Sequence, residues 1–267
     1  MKVIALGMGM QSTALYLMSS MRQFERADVA IFSDPMSEHP ETYKLVGWLL
    51  KWEKECADAI PIHIVKKDLM YDVINPMRVT PSGFNNYTSI PAYTKDKYGH
   101  KGMIQRHCTT KYKIEPLEKK VRELMGLKPR QRWKPCEMWL GITIDEAHRM
   151  KDNPNYNRTN RYPFIEMMMS RSDCMNYMKD NRFPIPVKSA CVFCPYHSDK
   201  FWLELKKENG TAWKKSVEMD YKLRKRANVK LDSDVYLHPS CKPLDQVDLK
   251  ENQLDMFGNE CEGYCGL

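Results

Sequence analysis

The chain has 267 residues, 42% of them hydrophobic, and a formal net charge of +8. That balance excludes a disordered chain and fits one large α/β domain with, at most, a small appendage. No stretch reaches the roughly 18 uninterrupted apolar residues of a membrane span. The apolar start behind Lys2 breaks at Gly7, Gly9 and Gln11, too early for a secretion signal. A cytoplasmic protein with no membrane partner is therefore expected.

In chain order, Val3 to Leu6 is a short buried-strand run, residues 7–11 a turn, and Ser12 to Met21 has helical spacing. Val29 to Phe32 is a second strand, polar at its end in Ser33 and Asp34. Glu41 to Ala57 is a helix with Tyr43, Val46, Leu49 and Leu50 on one side, and Ile62 to Val65 is a third strand. This β-α-β-α-β rhythm predicts a parallel, Rossmann-like sheet whose ligands sit at the carboxyl ends of the strands. Asn75 to Lys101, rich in Pro, Gly, Asn, Ser and Tyr, reads as a long loop serving as a lid or substrate-binding excursion. Lys113 to Met125 is helical with Leu117, Val121 and Leu124 on one stripe, and Met138 to Ile144 is a further strand. Past Pro163 the chain turns to short, Cys- and Met-bearing helical pieces. The expected division is therefore a nucleotide-binding α/β domain at 1–162 and a small, helical, Cys-rich region at 163–267.

The first turn carries the clearest chemistry. Gly7-Met8-Gly9-Met10-Gln11-Ser12-Thr13 lies between a strand and a helix, where glycines let the backbone approach a phosphate. Free N–H groups and the helix dipole then hold the anion, and Ser12 and Thr13 add hydroxyl donors. No Lys follows the second glycine, so this is not a Walker A loop. The segment resembles the pyrophosphate loop of the PAPS reductase and ATP pyrophosphatase (adenine nucleotide alpha hydrolase) superfamily. Gly7 stands where that motif has Ser, Met8 where it has Gly, and Gln11 where it has Asp.

Two further segments resemble the same family in the same order. Ser33-Asp34-Pro35-Met36-Ser37-Glu38-His39-Pro40-Glu41-Thr42 is similar to its acidic segment after the second strand. Gly141-Ile142-Thr143-Ile144-Asp145-Glu146-Ala147-His148-Arg149 is similar to its Gly-Ile-Arg-x-Asp-Glu-x-x-Arg stretch. The resemblance implies an ATP, PAPS or APS site with Mg²⁺. In it Gly7, Gly9, Gln11, Ser12 and Thr13 surround the phosphates. Asp34 and Glu38 serve the metal or ribose, Asp145 has a catalytic place, and Arg149 contacts phosphate. Helix-end charge and capping account equally well for Glu38 and Glu41.

Nine cysteines in a chain of this kind point to metal or redox chemistry sooner than to a disulfide framework. Cys191-Val192-Phe193-Cys194 has a spacing that lets two thiolates converge on one metal. The segment from Arg106 through Cys108 to Leu117 resembles one that, in APS reductases, joins a distal C-x-x-C to hold a 4Fe–4S cluster, with His107 replacing the first of two cysteines. That implies Cys108, Cys191 and Cys194 as ligands, with an open iron site or with Cys261 or Cys265 as the fourth. Zinc remains the alternative, because spacing does not separate the two. The tail Cys261-Glu262-Gly263-Tyr264-Cys265 fits a redox pair, metal ligands or a frayed terminus. Cys56, Cys136, Cys174 and Cys241 read as buried free thiols. The histidines lack zinc-site spacing, although His197, three residues past Cys194, is a candidate accessory ligand. Met167 to Met169 reads as packing.

Between Arg106 and Lys134 there are ten Lys or Arg against three Glu, and Lys222, Arg224, Lys225 and Arg226 form a second basic cluster. Such patches suit phosphates or a solvated face, and Trp133, Trp139 and Tyr112 among them suit base stacking or core packing. Three functions follow. The first is an adenylating enzyme for sulfur transfer to a nucleic acid such as tRNA or DNA, with Cys108 reactive and a cysteine desulfurase as sulfur donor. The second is a sulfonucleotide reductase that uses Cys265 and thioredoxin to release sulfite. The third is a non-catalytic nucleotide- or nucleic-acid-binding module with structural zinc.

Overall fold

The computed structural model describes residues 1–75, 90–208, 210–227 and 233–250. Strand β1 (Lys2–Ala5) has Val3, Ile4 and Ala5 wholly buried, as expected of a strand covered on both faces. Helix α1 (Met10–Ser20) is buried at every position but Gln11, because it lies between the sheet and helix α6 (Arg171–Asp180). Strand β2 (Val29–Asp34) is buried along its length. Helix α2 (Pro40–Glu55) turns Thr42, Leu45, Val46 and Leu49 inward. Its first turn starts at Pro40, and the His39 ring Nδ1 accepts from the Glu41 N–H at 3.3 Å.

Strand β3 (Ile62–Lys66) completes one flank, and β6 (Cys136–Trp139) and β7 (Arg158–Arg161) form the other. The order is β3-β2-β1-β6-β7, all parallel, a Rossmann-like sheet as expected. The chain moves outward from β1 to β3, then returns to the other side of β1 as β6. The crevice at the carboxyl ends of β1 and β6 is therefore the topological switch point.

Four expectations change. The predicted strand from Met138 to Ile144 is β6, which stops at Trp139, followed by a 3₁₀ turn at Ile144–Arg149. A side chain on Gly141 would meet the Ser12 backbone nitrogen at 2.8 Å, so the chain leaves the sheet there to run against α1. The loop expected at 75–101 is in part a hairpin of β4 (Ala92–Asp96) and β5 (Lys101–Ile104), and its residues 76–89 lie outside the described ones. Asp96 makes that hairpin by accepting the Tyr98 and His100 N–H groups, both at 2.8 Å. Strand β8 (Ser233–Tyr236) pairs with β4 to give a second, antiparallel sheet, β5-β4-β8. The helix before β6 opens as a π-helix, Thr110–Ile114, before α4 (Glu115–Leu124), and Leu124 is exposed, off the Leu117–Val121 stripe.

The C-terminal part contains α5 (Pro163–Glu166), α6, α7 (Asp199–Glu208) and a 17-residue α8 (Thr211–Ala227), which is not a short piece. The elements on the two sides of residue 162 interleave: β8 pairs with β4, and α8 packs on α3 (Leu69–Ile74). Trp202, Trp213, Met219 and Leu223 share that second core with Tyr112, Val192 and Phe193. Cys136, Cys174 and Cys241 are buried free thiols, and Trp139 is core. Among the described residues no helix is long and apolar enough to cross a membrane.

Candidate functional site

A cavity of about 480 Å³ opens at the switch point. One wall is the α1 start, from Gly9 to Ser12, facing Gly141 and Ile142 after β6. The loop differs from a glycine-made turn in one respect. Its left-handed residue is Met8, with φ of 58°, while Gly9 is extended as the helix N-cap. Met8 is 1% exposed, and packing of its side chain holds a backbone conformation that costs about 1–2 kcal/mol for an L-residue. The Gly9 N–H donates to Ser12 Oγ at 3.3 Å. Gly7 is buried in the same loop behind the cavity wall. Thr13 and Thr143 are wholly buried, and neither hydroxyl oxygen has a partner. Both lie behind the cavity wall and are not among its lining residues.

Gln11 Nε2 donates to Glu146 Oε2 at 3.3 Å, and Arg149 Nη1 lies 2.9 Å from the same oxygen. Glu146, Arg149 and Gln11 all line the cavity. Asp145, expected to be catalytic, is exposed outside the cavity wall and accepts the Arg171 N–H at 2.6 Å. Adjacent residues of a 3₁₀ turn, with three residues per turn, point about 120° apart, and Glu146 is the carboxylate that faces inward. Asp34 also stands back from the cavity. Its Oδ1 accepts from the Met36 N–H at 2.7 Å and from the Tyr43 hydroxyl at 2.9 Å, which fixes the turn after β2.

Glu38 does more than cap a helix. Its side chain is buried, with Oε1 3.0 Å from Lys113 Nζ, and Oε2 accepts the Ser189 hydroxyl at 3.0 Å. Lys113 was not legible as a site residue. An α-helical reading of residues 108–113 turns Lys113 well away from Cys108, whereas the wider π-turn brings both to the cavity. Burial is the largest influence on Lys113 and works to lower its pKa, but the Glu38 carboxylate, together with Cys191 and Cys108, makes the net shift upward. Arg106, Lys188 and Arg171 add positive charge along the cavity.

Cys108, Cys191 and Cys194 line this same region. The C-x-x-C turn is tied down from several sides. Val192 N–H donates to Ser37 O at 2.8 Å, Cys194 N–H to Cys191 O at 3.0 Å, and Ser216 Oγ to Val192 O at 3.0 Å. Burial pushes the Cys191 thiol far up, with the Glu38 charge adding to it. Burial also pushes Cys194 up to about 11, and raises Cys108 against the pull of Arg106 and Lys113. All three are thiols at neutral pH.

These soft donors suit zinc or an iron–sulfur cluster chemically. Yet among the described residues no three His, Cys, Asp or Glu side chains are placed to hold a metal ion. The three cysteines share one cavity and lie close enough for their charges to affect one another. Cys261 and Cys265 lie outside the described residues. His197 is a buttress: its Nε2 donates to Cys191 O at 2.7 Å and its ring stacks on Phe201 at 3.6 Å. Burial lowers its pKa to about 3, so it is neutral.

No family model and no solved structure matches the chain. The chain is similar to an uncharacterized nin region protein, ORF290, of Escherichia phage lambda. The two are 28% identical over 217 residues, which covers 74% of this chain and 68% of that protein.

Proposed function

We propose that the chain is an adenylating enzyme of the adenine nucleotide alpha hydrolase type, activating a nucleic-acid oxygen for replacement by sulfur. The supporting observation is that one cavity joins the α1 start to Cys108, Cys191 and Cys194. Its volume of about 480 Å³ is within the range of small-molecule sites.

The nucleotide phosphates lie against the N-terminal amides of α1, whose dipole favours anions. Arg149 and Lys188 offset their charge. Mg²⁺ would come with the phosphates, keeping several of its waters, and Glu146 is the carboxylate at hand to hold it. The acceptor oxygen attacks the α-phosphorus, and the bond from that phosphorus to the bridging oxygen breaks. Pyrophosphate leaves with the electron pair, stabilised by the amides and the cations.

In the sulfur step, a persulfide on one cavity cysteine attacks the carbon bearing the adenylate. AMP departs with the C–O electron pair, leaving a mixed disulfide. A second cavity cysteine attacks that disulfide at the first cysteine's sulfur, releases the thiolated acceptor and leaves a protein disulfide. A persulfide-donating enzyme and a thiol reductant reload the site. The buried Lys113 ammonium supplies the counter-charge for the transient thiolate.

ATP–pyrophosphate exchange, measured with and without RNA or DNA, tests the first half. Exchange that requires nucleic acid and is lost in Arg149→Ala supports it. No exchange with any nucleic acid, together with no ATP binding by equilibrium dialysis, refutes it.

A further inference from the structure

The basic run between Arg106 and Lys134 is divided by the fold. Arg106 and Lys113 face the cavity. The rest precedes β6, and β6 runs parallel to β1 and β7, so the connection into it lies at the amino end of the sheet. Residues 119–134 hold seven Lys or Arg and a single Glu, a net +6 against +8 for the whole chain. A strongly basic segment therefore sits at the end opposite the cavity.

This segment is a built turn. Gly126, with φ of 66°, ends α4, and Arg130 repeats the left-handed conformation at 64°. Arg122 reaches across to donate to Lys128 O at 2.7 Å and Gln131 O at 2.9 Å. Gln131 Oε1 accepts the Lys128 N–H at 2.9 Å. Trp133 packs under the Arg122 and Arg158 guanidinium groups, at 5.1 and 4.6 Å. The backbone is thereby fixed while Lys128, Arg130, Arg132 and Lys134 are exposed. None of these four pairs with an acid among the described residues.

The second basic cluster contrasts with it. On α8, Lys222 pairs with Glu218 at 2.9 Å and Arg224 pairs with the buried Asp220. Those cations are already neutralised within their own helix.

We propose that the turn at 128–134 is a docking surface for the phosphate backbone of a nucleic acid, separate from the cavity. Four fixed, unpaired cations match a polyanion, and guanidinium groups bind phosphate oxygens in pairs. A bilayer is a poorer match, because no large apolar residue between 126 and 135 is exposed for insertion. Lys134 and Gly141 are seven positions apart in the chain, at most about 25 Å at strand rise. A nucleic acid held at the turn thus has to pass around the edge of the sheet to present a group to the cavity. The turn anchors and does not react. This deepens the reading of the acceptor given above, and binding is measured without ATP so that either can fail alone.

The test is fluorescence anisotropy of a labelled DNA duplex and a labelled RNA hairpin against the full chain, from about 50 to 200 mM salt. The variant carries Lys128→Gln, Arg130→Gln, Arg132→Gln and Lys134→Gln. A milder one carries only Arg130→Gln and Arg132→Gln, in case the first does not fold. The control carries Lys214→Gln, Lys215→Gln and Lys225→Gln on α8. Each phosphate engaged adds about 0.9 to the slope of log affinity on log salt, so the full variant loses up to about 3.6 of that slope. The expected result is at least tenfold weaker binding in the turn variants at low salt, with the control and ATP binding unchanged. Equal binding by wild type and the turn variants, no nucleic-acid binding at low salt, or binding to phosphatidylserine vesicles alone would each overturn the proposal.

Discussion

The two ends of the cavity are made of different material. The α1 end is backbone and short side chains, with Gly9, Ser12 and Gly141 meeting where two parallel strands stop. The thiol end is made by side chains from distant segments: Cys108 and Lys113 before α4, the latter held by Glu38 after β2, and Cys191 and Cys194 before α7. Amides at a helix start hold an anion without titrating, so that end binds over a wide pH range. The other end holds a buried ion pair and protonated thiols, which under the proposed function would react only when charge is supplied there. The first is suited to binding and the second to chemistry.

Breaking the ion pair is expected to have the largest effect. Lys113→Met leaves Glu38 buried and unpaired, which costs about 3–5 kcal/mol. Adding Glu38→Gln should recover most of that loss, as urea unfolding of the two variants would show. A single variant as stable as wild type would mean the pair is solvated. At the other end, Gly141→Ala drives a methyl group to 2.8 Å from the Ser12 nitrogen. Overpacking of this kind costs about 1–3 kcal/mol, and the displaced α1 start should weaken ATP at least tenfold by calorimetric titration. The Cys191 and Cys194 alkylation rates should not change.

Met8→Gly sharpens the same contrast. Glycine relieves about 1–2 kcal/mol of left-handed strain, but a buried Met side chain contributes about 2–5 kcal/mol. Packing should win, and the variant should unfold about 1–3 kcal/mol earlier. A stabilised Met8→Gly would show that this loop follows the glycine rule after all.

A further effect appears only on the acid limb. With its folded pKa near 3 against 6.5 for the free ring, His197 binds a proton in the unfolded chain first. Its contribution to stability is complete above about pH 6.5 and falls away as the pH drops towards 3, by at most about 1.4 kcal/mol per unit. His197→Gln, which keeps an N–H for Cys191 O, should flatten that limb in acid denaturation. An unchanged slope would place the titration elsewhere.

Much of the parallel sheet was legible because its strands are continuous apolar runs separated by amphipathic helices. Val3 to Ala5 and Val29 to Phe32 bury both faces, and such runs are hard to mistake. The β4–β5 hairpin was hidden because its turn residues sit in a longer polar stretch, and its partner β8 arrives some 140 residues later. Local pattern carries no information about a partner that distant. The π-turn at 110–114 was hidden for a related reason: it replaces one helical period by another without altering composition.

The sequence by itself determined the first three strands and two helices of the parallel sheet, the glycine-containing turn at Gly7 to Thr13 and the candidacy of Cys108, Cys191 and Cys194. Those are matters of local period and residue chemistry. Tertiary structure alone decided that Glu146 and not Asp145 turns inward, and that Asp34 holds a turn. It also decided that Lys113 stands buried against Glu38 among the thiols, and that the basic run at 119–134 leads to the far end of the sheet. Each of these depends on which face of a turn meets which neighbour, and that is settled only when segments far apart in the chain pack together.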